Sequence, residues 1–129
     1  MDLSVRTETF GQDDQSWLGS AHGTNAGRTI TLDTSAFTAG THYPNGYFLS
    51  GIPLGKITAS GKYGPYNDAA VDGTETLVGL LLTAVPAPSA TTTDVAGALF
   101  DHGRVVEANL PIAIDAAGKT DVAGRIWFA

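Results

Sequence analysis

With 129 residues, 16 glycines, no cysteine and only 16% charged residues, the chain suits a single strand- and turn-rich domain and leaves no disulfide or thiolate metal site. Thirteen carboxylates against seven basic side chains give a net charge of −6, with no run of like charge. That balance argues against nucleic acid, whose binders carry a basic stripe, and against docking on anionic lipid.

The opening MDLSVRTETFG has neither a basic n-region nor an apolar h-region, so no signal peptide is read there. Residues 1–27 are polar, with Leu3, Val5, Phe10, Trp17 and Leu18 as scattered apolar positions. Such a segment buries too little surface to offset an ordering entropy of ~1–2 kcal/mol per residue, and it is expected to be mobile in the isolated protein. Leu3, Val5, Thr7 and Thr9 nevertheless alternate, the period a segment needs to join the edge of another protein's sheet. A plain disordered terminus is the bland alternative.

RTITLD, residues 28–33, alternates with Ile30 and Leu32 inward and opens the body, residues 28–129. Phe37 and Tyr43 are expected to anchor a turn-rich stretch. Residues 46–52 read as a strand ended by Pro53, and 54–60 as another with Leu54 and Ile57 buried. Residues 61–74 read as a polar loop with a tight turn at Tyr63–Tyr66.

Leu77–Val85 is almost wholly apolar, far short of the ~20 residues of a membrane helix. It runs into Pro86–Ala87–Pro88, which forbids helical continuation, so it is expected to be a strand buried on both faces. Val95–Phe100 and Arg104–Val106 flank Asp101–His102–Gly103, a linker that reads as a hairpin turn. Asp115 is placed to cap a short helix over residues 116–123, with Gly124 as its stop. RIWFA, residues 125–129, closes the chain as a strand, Trp127 opposite Ile126 and Phe128.

Little in this order suggests chemistry. His22, His42 and His102 stand alone, without the spacing of metal ligands. No Gly-x-Ser-x-Gly elbow is present. Gly61–Lys62 lacks both the earlier glycine and the following Ser/Thr of a phosphate loop. The Asp residues sit in turns for ordinary reasons. No catalytic, cofactor or metal residue is assigned, and the protein is expected not to be an enzyme. Trp17, Tyr43, Tyr47, Tyr63 and Tyr66 suit an interface better, and a thin core of this size gains from association with identical subunits.

The Asp72–Gly73 entry into LVGLLLTAV, the Pro/Thr-rich link, VAGALF–DHG–RVVEANLP, and a short helix before a last strand carry a resemblance. The chain resembles the head decoration (capsid-stabilising) proteins of tailed bacteriophages, the lambda-like type. Gly79, Leu80 and Leu81 occupy the positions of that family's "VGIL" strand, and Asp101–Gly103 those of its turn. The likeness runs from about Asp33 to Ala129. The stretch around Tyr43–Tyr66 is longer here.

The resemblance implies a mainly β, β-clip-like fold with one short helix near the C-terminus and a flexible N-terminal arm. It implies a homotrimer on three-fold sites of the capsid exterior, bound to the major capsid protein and stabilising the DNA-filled head after assembly in the host cytoplasm. The arm, residues 1–27, would then bind the capsid through Leu3, Val5, Phe10, Trp17 and Leu18. A β-rich adaptor or receptor-binding module of a phage tail or fibre is the alternative.

Overall fold

Two apolar side chains spaced by two residues start the body. In β1, Arg28–Leu32, Ile30 and Leu32 turn inward while Arg28, Thr29 and Thr31 stay exposed. The computed structural model describes residues 14–21, 23–24 and 27–129. Along its whole length β1 lies antiparallel to β7, Val95–Phe100, with Arg28 opposite Leu99 and Leu32 opposite Val95.

Between them in sequence come a one-turn helix α1 (Ala39–His42), β2 (Tyr47–Phe48), β3 (Pro53–Lys56), β4 (Tyr63–Pro65), β5 (Gly79–Leu81) and β6 (Val85–Pro86). Strands β4, β3 and β5 complete a small barrel in the order β1-β4-β3-β5-β7, closed by a single parallel bridge from Leu32 to Tyr63. β2 and β6 form a separate antiparallel pair. The chain then leaves the barrel for β8 (Gly103–Val105), the capped helix α2 (Ala116–Asp121) and β9 (Ile126–Phe128), which lies parallel to β8.

Side-chain parity along two strands divides the core. Leu81 and Leu99 point into the barrel with Ile30, Leu32, Phe37, Phe48, Ile52 and Leu54. Their neighbours Leu80 and Phe100 point outward into a second cluster with Trp17, Leu77, Val105, Ile114, Val122 and Ile126. The expected two-sided burial of the central apolar run is therefore real, but only three of its residues form the strand. The chain bends at Leu82–Ala84 before β6.

The mainly β class stands, with the expected helix near the C-terminus. Asp115 Oδ1 accepts the Gly118 N–H at 2.8 Å, as a cap should. The extra helix α1 is too short to show a period in sequence. Four local expectations are corrected. Pro53 does not end a strand but begins β3, a place where its missing N–H costs nothing. Residues 46–52 form only the two-residue β2, because Gly51 turns the chain at φ +91°. Tyr63–Pro65 is strand β4, paired with β3, not a tight turn. β7 and β8 do not form a hairpin: their linker carries the chain from one sheet to another, where Gly103 N–H donates to Arg125 C=O at 2.9 Å.

Candidate functional site

The segment before β1 is laid along β8. Gly19 N–H donates to Arg104 C=O at 2.9 Å, Val106 N–H donates to Trp17 C=O at 2.6 Å, and Leu18 bridges Val105 in antiparallel fashion. Two side chains tie it further: Gln15 Nε2 donates to Leu82 C=O at 2.7 Å, and Asn109 Nδ2 to Ser16 C=O at 3.0 Å.

Trp17 is the pin. Its side chain is fully buried, edge-on to Phe100 with ring centres 5.2 Å apart. A buried indole needs a partner for its N–H, and Ser50 Oγ accepts it at 3.0 Å. That hydroxyl in turn donates to Leu82 C=O at 2.7 Å. Gly51 lies directly beneath: a Cβ there would sit 2.8 Å from the indole nitrogen.

Of the five residues expected to reach a capsid, Leu3, Val5 and Phe10 lie outside the described residues. Trp17 and Leu18 are held by the body, Trp17 inside the second core and Leu18 half-buried against it. The expectation that this stretch is mobile rested on its polar composition, whereas Ser50, Phe100 and Val105, which hold Trp17 and Leu18, come from distant segments.

Two grooves that meet at Ser20 flank this segment. A groove of about 510 Å³ is lined by Gln15, Leu18, Ser20, Ala21, Thr24 and Leu82. A second, of about 420 Å³, lies between Ser20, Gly103, Arg104 and Trp127. Trp127 is 52% exposed, and His102 stands edge-on to its ring at 5.7 Å. An exposed tryptophan beside an arginine is the composition of an interface anchor. The sequence signal was the alternation of β9, which put Trp127 opposite its buried neighbours.

Several polar groups elsewhere have structural partners. His42 Nδ1 accepts the Thr38 N–H at 2.9 Å, and burial pushes its pKa down. Tyr66 O–H donates to Asp115 Oδ1 at 2.7 Å. Burial, then Asp115, pushes the phenol above its usual range, while the Gly118 N–H and Tyr66 hold Asp115 below the usual carboxylate range. Asp121 Oδ2 accepts the Leu77 N–H at 2.9 Å. Among the described residues no group of three or more His, Cys, Asp or Glu is placed to hold a metal, and no helix is long and apolar enough to cross a membrane.

The family model of bacteriophage lambda head decoration protein D matches residues 14–124. The chain belongs to that family. No individual curated protein matches it. Decoration proteins of this family are structural proteins of the phage virion and associate with its capsid. The match takes in the segment pinned by Trp17.

Proposed function

We propose that this protein is a non-enzymatic cement protein, a homotrimer that sits on three-fold sites outside a phage head, binds the major capsid protein and stabilises the DNA-filled shell. Family membership over residues 14–124 carries the reading. In it, the capsid-binding arm is the stretch before Asp14, with Leu3, Val5 and Phe10 as its apolar contacts, and residues 14–129 are the trimerising body. Trp17 and Leu18 serve the arm by fixing where it joins the body, at Asp14 beside Asn109 and Pro111.

The energetics favour three arms over one. A segment that orders on binding gives up part of its interaction energy, so a single arm binds modestly. Three arms on one trimer make the later contacts intramolecular and raise net affinity by ~10²–10⁴. Sedimentation of the purified chain followed by mixing with undecorated expanded heads tests both halves. A trimer that coats the heads and delays their rupture is expected; a monomer, or a protein that leaves the heads bare, ends the reading.

A further inference from the structure

The barrel is closed at one end only. Ala98 C=O in β7 accepts the Leu82 N–H at 2.9 Å, so Ala98 turns its main chain away from β1. In an antiparallel pair, opposed residues exchange both bonds or neither. Thr29 and Thr31, opposite Ala98 and Ala96, therefore direct their main-chain groups away from β7, toward β4. There β4 meets β1 only at Leu32–Tyr63, where Asp33 N–H donates to Tyr63 C=O at 2.9 Å. The companion bond of such a bridge takes Thr31 C=O, leaving the two amide N–H groups and Thr29 C=O over a gap.

That gap is a concavity of about 330 Å³ lined by β1 residues Arg28 to Thr31 with Lys56, Gly61 and Tyr63. Two basic side chains, Arg28 and Lys56, line it, and among the described residues no acidic side chain does. Lys56 is exposed and has no carboxylate partner among the described residues. Arg28 reaches Asp101 at 3.2 Å with most of its side chain still in solvent. At the closed end Lys62 is already paired with Asp94 at 2.6 Å, and Asp33 lies near.

An open strand edge is a template for another strand, and proteins normally blunt it. A lysine alone would serve that purpose. Here the edge is recessed, its donors converge with two cations, and no acidic group among the described residues lines it in a protein of net charge −6.

We infer that the β1 edge from Thr29 to Thr31 receives an extended acidic segment of the capsid protein, added as a short strand whose carboxylates face Lys56 and Arg28. The inference rests on the decoration role proposed above and gives the body a contact with the shell separate from the arm. Strand addition supplies affinity through main-chain hydrogen bonds, and the flanking charges select the partner.

Hydrogen exchange read by mass spectrometry on the full chain, free and bound to undecorated expanded heads, tests it. Bound protein is expected to gain protection at the Thr29 and Thr31 amides. Lys56→Glu should weaken head binding about tenfold, near the worth of one charge-assisted hydrogen bond, while Lys56→Arg binds as the parent does. Thr29→Pro removes an outward N–H without touching the β7 ladder and should also weaken binding. Unchanged exchange across residues 28–32 on coated heads, with Lys56→Glu binding normally, overturns the inference and leaves the decoration role standing. Protection that rises with protein concentration without heads assigns the edge to a second copy and overturns the capsid as its occupant. No binding by the parent chain removes the decoration role and the inference with it.

Discussion

Trp17 and Ser50 are joined by a 3.0 Å hydrogen bond from indole N–H to hydroxyl, inside a core that excludes water from the ring. The bond links the segment ahead of the barrel to the turn between β2 and β3. Trp17→Ala should cost ~3–5 kcal/mol, the range for emptying a large aromatic site. Ser50→Ala, which strands the indole N–H, should cost ~1–3 kcal/mol. Urea unfolding measures both; a loss under ~1 kcal/mol for Trp17→Ala would show that the segment is not part of the folding unit.

Two truncations separate the arm from its root. A chain starting at Asp14 keeps Trp17 and its partners and should unfold at a temperature close to that of the full chain, yet fail to coat expanded heads. A chain starting at Gly27 loses Trp17 from the second core and should be destabilised by at least the Trp17→Ala amount, ~3–5 kcal/mol. Equal thermal midpoints for the two truncations would contradict the pinned root, and normal coating by the Asp14 chain would remove the role of Leu3, Val5 and Phe10.

Acid should weaken the fold in two stages. His42 is held below its ordinary 6.5 by burial, so the unfolded chain takes up the proton first, and stability falls as pH drops from about 6.5 toward the lower folded value. Asp115, Asp94 and Asp72 are held below 3.8, chiefly by the Gly118 N–H, Lys62 and Thr74 respectively. Their contribution is complete above 3.8 and is lost as pH falls through the depressed folded values. Thermal midpoints measured between about pH 2 and pH 8 should show His42→Gln flattening the upper stage and Asp115→Asn the lower one. A His42→Gln profile that keeps the upper stage places its origin elsewhere.

Gly118→Ala sets helix propensity against packing. Alanine is the better helix former by ~1 kcal/mol. The new methyl, however, would lie 2.8 Å from Ile114 Cγ2 and 3.2 Å from the Tyr66 ring. Overpacking of that kind costs ~1–3 kcal/mol, so a net loss of stability is expected by chemical denaturation. A gain would mean that α2 shifts freely on the core.

Which elements are legible in the sequence follows from range. The alternation of Ile30 and Leu32, the Asp115 cap with Gly124 behind it, and the parity of β9 are local patterns, set by residues within one turn or one strand. So is the double-faced burial around Leu80 and Leu81, because a run with no polar side cannot leave either face in water. These, with the order of the central motifs, sufficed for a mainly β protein of the decoration class.

Tertiary contacts decided the rest. Asp101–His102–Gly103 has hairpin chemistry, yet β9 arrives from the far end of the chain to take β8 as its partner, and a local turn cannot register that competitor. Trp17 sits among polar neighbours in sequence and is buried only because Phe100, Ser50 and Gly51 converge on it. The open edge of β1 is likewise invisible in RTITL: alternation tells which side chains face in, while the number of strands beside it depends on where β4 is carried by β3. A residue's period is written in its neighbours, but its partners are settled by the closure of the whole chain.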